Sequence, residues 1–93
     1  MRSFDPNNKL SRVPSLLSTE LDQETVLMSI DAGAYYGLGG AAQSIWNMLE
    51  VPVTFSDLVD RLVKKYRVSP QTCTADLEPF LLKLEQEGLL RVE

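Results

Sequence analysis

The sequence predicts an α+β domain in which a three-stranded antiparallel sheet is followed by three helices. Up to Leu38 the apolar residues fall in short stretches that suit strands, and from Gly39 onward they recur at helical spacing. The length of 93 residues allows one domain with a modest core. Because residues 1–10 are polar and turn-rich, we assign them to a flexible N-terminal arm and residues 11–93 to the folded domain.

The strands are predicted at residues 12–19, 24–30 and 35–38. The first contains Pro14, which cannot donate a ladder hydrogen bond, so we expect an edge strand or a short one. In the second, Val26, Met28 and Ile30 form an apolar face that alternates with a mixed one. A turn at 31–34 leads into the third strand. Short connections of this kind predict an antiparallel meander.

Local signals mark the ends of the predicted helices. Glycines break the third strand, prolines limit the first helix and open the third, and hydroxyl side chains cap the second and third. A late glycine supplies a left-handed stop. These residues are Gly39, Gly40, Pro52, Thr54, Ser69, Pro70 and Gly88. Residues 89–92 then form a short extended tail that we expect to pack against the core.

Composition excludes several classes of function. Nine basic and thirteen acidic side chains give a net charge of −4, whereas nucleic acids and anionic membranes require a basic patch. The chain has no histidine, and its one cysteine, Cys73, lies on an apolar helical stripe without a base beside it. We therefore predict no enzyme activity, no metal and no cofactor. A single cysteine and the absence of a signal peptide or apolar span predict a cytoplasmic protein.

The stretch from Gly37 to Gly40 lies between a strand and a helix, but it lacks the lysine and glycine spacing of a phosphate-binding loop. The strand before it, Tyr35 to Leu38, is short, aromatic, uncharged and free of proline. Such a strand at an open sheet edge is a template for strand addition by a peptide. Alternatively, another element covers this edge, and periodicity alone leaves both possibilities open.

The run GAYYGLGGAAQSIWNMLE at 33–50 resembles the signature of the PqqD-like family. Further similar segments follow in order at 55–58, 66–70 and 87–90, so the resemblance covers roughly residues 13–92. Gly39-Gly40 departs from it, because relatives often have a polar cap there.

The resemblance implies a winged helix-turn-helix-like fold. It also implies a recognition element that binds the leader of a ribosomally made precursor peptide as a strand beside the third strand, in a cleft walled by the third helix. The sequence looks most similar to stand-alone leader-binding proteins of lasso-peptide pathways, whose partners are a leader peptidase and a cyclase. The alternative is a PqqD-type peptide chaperone for a radical SAM enzyme. A winged-helix DNA-binding regulator is disfavoured, because the third helix is acidic.

The peptide-binding residues that the resemblance implies lie on the third strand and the third helix. They are Tyr35, Tyr36, Gly37, Leu38, Asp76, Leu77, Phe80, Lys83 and Leu84. Leu77 and Leu84 can equally be core residues, and the flank of the third helix that bears Thr74, Glu78 and Glu85 remains an alternative to the flank of Asp76. We expect a monomer, or a weak or strand-swapped dimer that forms through the unfilled edge.

Overall fold

The structure of the chain is a computed structural model in which residues 4–14, 16–21, 24–29 and 34–93 are described. The elements are β1 (Lys9–Arg12), β2 (Leu16–Leu21), β3 (Glu24–Ser29), β4 (Ala34–Gly39), α1 (Ala41–Met48), β5 (Val53–Thr54), α2 (Phe55–Tyr66), α3 (Pro70–Gln86) and β6 (Leu90–Val92). This confirms the α+β prediction, with a winged-helix-like arrangement of sheet and helices.

The sheet predicted from the sequence is formed by β2, β3 and β4, in that order and antiparallel throughout. Its register pairs Leu27 at the centre of β3 with Ser18 on one side and Tyr36 on the other. The core-facing side of β3 carries Thr25 and Leu27, which are both buried. The predicted apolar face of Val26 and Met28 is therefore the outer one, whereas Ile30 and residues 31–33 of the predicted turn lie outside the described residues.

A second, unpredicted antiparallel sheet has the strand order β5-β1-β6. The predicted strand 12–19 is thus wrong: its beginning belongs to β1 in one sheet and its remainder to β2 in the other. The chain changes sheets at Pro14, directly after Val13 has donated a 3.1 Å hydrogen bond to the carbonyl of Leu89. Proline has no N–H with which to continue that ladder, so the strand ends there.

Residues 4–10, which the sequence assigned to an arm, are packed against the domain. The Phe4 ring is 7% exposed and stacks on Phe55, with ring centroids 5.5 Å apart. The Phe4 N–H donates to Oε2 of Glu78 at 3.0 Å, and the carbonyl of Asn8 accepts from the N–H of Phe55 at 2.9 Å. Polar composition is misleading here because the polar residues form the turn that returns Phe4 to the core.

Capping residues hold the helices where the sequence places them. The hydroxyl of Thr54 accepts from the N–H of Asp57 at 3.2 Å, and that of Ser69 accepts from the N–H of Thr72 at 3.1 Å. Gly88 has a φ of 76° just after α3, where the chain turns into β6. Every helix in the described ranges is too short or too polar to cross a lipid bilayer.

Arg12 ties the second sheet to α1. Its Nη2 and Nε donate to the carbonyl of Trp46 at 2.6 and 3.2 Å, and its guanidinium carbon lies 4.6 Å from the Trp46 ring centroid. Burial lowers the pKa of Arg12, and the nearby carboxylate of Glu50 partly offsets this effect. Because α1 has no basic residue in its own last turn, Arg12 supplies the positive charge that the helix C-terminus favours.

Candidate functional site

The edge of β4 lies open in the described part of the chain, where its one ladder partner is β3. Side chains alternate along the strand: Tyr36 and Leu38 pack towards the core, whereas Tyr35 is 73% exposed on the outer face with Gly37 beside it. The edge therefore presents backbone donors and acceptors with an aromatic and an aliphatic side chain beneath them.

A hydrogen bond links β4 to the residue that directly follows α3. The hydroxyl of Tyr36 donates to Oε2 of Glu87 at 3.0 Å, and Glu87 is the C-cap residue of α3. This hydrogen bond, with smaller contributions from burial and from the charge of Glu87, raises the pKa of Tyr36. The contact shows which flank of α3 faces the strand.

Three side chains of α3 share that flank with Glu87, the residue that follows the helix. At 100° per residue, Asp76, Phe80, Lys83 and Glu87 fall within about 60° of one another on the helix surface. The opposite flank carries Glu78, whose carboxylate is bonded by the N–H of Phe4. The stripe that includes Asp76 and Phe80 is therefore the one directed towards β4.

An apolar cavity of about 390 Å³ opens next to this stripe, between α1, α2 and α3. Its volume is within the range of small ligand pockets, roughly 300–1,000 Å³. Asp76 is the only charged residue among those that line it. The lining residues are Ala41, Ala42, Ile45, Leu62, Tyr66, Val68, Cys73, Asp76, Leu77 and Phe80.

The wall of the cavity formed by α2 is held by a small polar cluster. The Ser44 hydroxyl accepts from Nζ of Lys65 at 3.0 Å and from the hydroxyl of Tyr66 at 2.9 Å. On the other side, Gly40 turns the chain from β4 into α1 with φ 58° and ψ −130°, a conformation that favours glycine. This turn places the small side chains of Ala41 and Ala42 at the cavity.

The structure brings together part of the predicted site. Asp76, Leu77 and Phe80 line the cavity, and Lys83 is exposed on the same flank of α3. Leu84 is buried in the core and does not line the cavity. Tyr35 lies on the outer face of the strand, away from the cavity.

Sequence reasoning missed the cavity residues from α1 and α2. The pair Ala41-Ala42 at the start of α1 was the available signal, because small residues leave room for a neighbouring group. The contributions of Leu62, Tyr66 and Val68 depend on how α2 packs against α3, which spacing within one helix does not encode.

Cys73 lies on the cavity wall but is not set up for chemistry. It is buried, and burial raises the pKa of its thiol, with the charge of Asp76 adding to the effect. A thiol with a raised pKa is a poor nucleophile at neutral pH. Among the described residues, no cluster of three or more acidic or thiol side chains is placed to hold a metal ion.

A protein-family model described as coenzyme PQQ synthesis protein D matches residues 24–90. The chain belongs to the PqqD family. The matched range contains β3, β4 and all three helices, and so every residue of the cavity. No curated protein matches the chain.

The chain is similar to a solved structure, that of TbiB1 in complex with the TbiA(beta) leader peptide. The similarity has a TM-score of 0.77 and 31% sequence identity, and it covers 85% of this chain and 93% of that chain. This PqqD-family chain thus shares its architecture with a protein that has been solved with a leader peptide bound.

The outer face of the β2-β3-β4 sheet carries an exposed apolar row. Leu17, Met28 and Tyr35 lie directly opposite one another across the three strands. Leu17 is 53% exposed and Met28 is half-buried. This row belongs to the same sheet as the open edge but faces away from α3.

Proposed function

We propose that the chain is a recognition element that binds the leader of a ribosomally synthesised precursor peptide as an additional strand beside β4. The observation that carries the proposal is the open edge of β4, together with an apolar cavity that Phe80 of α3 lines with Ala41, which begins α1 just after β4 ends. The likeness to TbiB1, whose solved structure contains a leader peptide, supports a peptide as the ligand.

In strand addition, both backbone and side chains contribute to binding. The amides and carbonyls of β4 hold the leader, and the leader's side chains alternate between the two faces of the extended sheet. Those on the inner side meet Phe80 and Leu77 at the cavity. Burying one leucine-sized side chain there stabilises the complex by about 2 kcal/mol, so apolar leader residues are selected at alternate positions.

The second part of the proposal is that the chain presents the bound leader to a processing enzyme and does not itself catalyse. The partners would be the leader peptidase and the cyclase of a lasso-peptide pathway. The outer row of Leu17, Met28 and Tyr35 supports such a contact, because a contiguous exposed apolar surface is typical of protein–protein interfaces. A partner on this face would touch both the chain and the outward side chains of the added leader strand.

Fluorescence anisotropy tests the proposal directly. Fluorescein-labelled TbiA(beta) leader and other leaders of lasso-type precursors are titrated with the protein, with scrambled peptides and duplex DNA as controls. We expect saturable binding to at least one leader near or below about 1 μM, the range of a specific peptide complex. If the folded protein binds no leader, or binds duplex DNA at physiological salt, the proposal is wrong.

Replacement of Phe80 by alanine locates the binding site. Phe80 is half-buried and lines the cavity, so Phe80→Ala removes apolar surface that the leader would cover. We expect the Kd for the leader to rise about tenfold, since roughly 1.4 kcal/mol of contact is lost. The control is Thr74→Val on the opposite flank of α3, which leaves Kd unchanged. Equal effects of the two substitutions would place the leader elsewhere.

A further inference from the structure

Glu24 lies across the strand that is proposed to bind the leader. Its backbone is on the central strand β3, where it pairs with Gly39 of β4. Its side chain extends diagonally over the outer face to Gly37, and a methyl group at Gly37 would collide with Oε1 of Glu24. The absence of a side chain at Gly37 is thus what lets a carboxylate from the middle of the sheet reach its edge.

This carboxylate has no partner within the described ranges, where no side-chain hydrogen bond or ion pair to Glu24 is formed. Its neighbours on the outer face are apolar, with Val26 directly opposite Gly37 and Met28 opposite Tyr35. Glu24 itself is exposed, so the charge is solvated in the free protein and available to a ligand.

We propose that Glu24 is a specificity-determining residue that selects a lysine or arginine on the leader. This inference rests on the proposed function, because it requires a leader strand beside β4. Adjacent strands lie about 4.8 Å apart, so an outward side chain of the leader opposite Gly37 starts one strand spacing from the carboxylate. A lysine or arginine there is within reach of an ion pair across the strands. An acidic residue at that position is repelled.

Display of random peptides tests the preference across all leader sequences at once. Wild-type protein and the charge-reversed Glu24→Lys variant are used as baits for a phage-displayed random peptide library. The matched control is Glu20→Lys, which makes the same charge change at an exposed position on the far strand β2. We expect wild type and Glu20→Lys to enrich Lys or Arg at one position of the selected peptides, and Glu24→Lys to enrich Asp or Glu there.

A double-mutant cycle on one selected peptide then measures the contact. Replacing the enriched basic residue by glutamine is expected to raise Kd about threefold against wild type and against Glu20→Gln, the size of an exposed ion pair. Against Glu24→Gln the same replacement should change nothing.

Three results separate the hypotheses. The selected peptides can depend on an intact β4 for binding and yet show no basic position that depends on Glu24. That result overturns the inference and leaves the proposed function intact. If no selected peptide depends on an intact β4 for binding, both the inference and the proposed function are wrong. A basic preference that reverses with Glu24→Lys and persists with Glu20→Lys establishes the role of Glu24.

Discussion

A proline in β4 is expected to abolish leader binding while the helices remain folded. The test variants are Tyr36→Pro and Gly37→Pro. Proline removes one N–H and sterically opposes the neighbouring strand, so a ladder hydrogen bond with the leader is lost and an acceptor is left unpaired. We expect a loss of about 3 kcal/mol, or roughly 100-fold in Kd, measured by anisotropy with a labelled leader.

The two variants also distinguish the two sides of the strand. Successive residues of an antiparallel strand direct their N–H groups to alternate edges, so one substitution acts on the ladder with β3 and the other on the free edge. The variant that acts on the free edge should lose binding without losing thermal stability. Ser18→Pro on β2, the opposite edge of the sheet, is the control that should still bind. Wild-type Kd in both folded β4 variants would disprove strand addition at β4.

The second large effect concerns stability. Leu10 is 0% exposed at the centre of β1, where it pairs with Val53 on one side and Val92 on the other. Leu10→Ala is expected to lower the free energy of unfolding by about 3 kcal/mol, because a buried leucine leaves a cavity when truncated. Urea denaturation followed by far-UV circular dichroism measures the change.

Leu17 provides a matched control for that substitution. It is a strand leucine with 53% exposure, so Leu17→Ala should change the free energy of unfolding by less than about 0.5 kcal/mol. The contrast also tests the position of the N-terminal segment. A flexible arm up to residue 10 would make the Leu10 and Leu17 substitutions equally mild, and that result would contradict the packing of β1.

The helical part of the fold could be predicted because its signals are local. Thr54 and Ser69 cap helices through hydrogen bonds to residues three positions away, so both partners lie within one short sequence segment. The second sheet could not be predicted in the same way. β1 is a strand because residues 90–92 lie beside it, and nothing within residues 9–12 identifies that partner.

For the candidate site, the strand was accessible from the sequence, whereas the flank of α3 that faces it and the covered face of the sheet were not. Alternation along β3 shows that two faces exist, but packing decides which one is buried. α1 lies against the less apolar side, where Nε2 of Gln43 donates to the buried hydroxyl of Thr25 at 3.0 Å. A polar residue satisfied in this way can occupy the core, and the more apolar Val26 and Met28 are then left on the outer face.

The ladder between β1 and β6 has a consequence for the order of folding. It joins Leu10 to Val92, so nearly the whole chain forms the loop that this pairing closes. Closing so long a loop costs conformational entropy. That cost falls once the intervening helices and the other sheet have formed, because they shorten the flexible part of the loop. We therefore expect β1 and β6 to pair after the rate-limiting step. In stopped-flow measurements, Leu10→Ala should accelerate unfolding and leave the folding rate nearly unchanged, whereas slower folding would place this ladder in the nucleus.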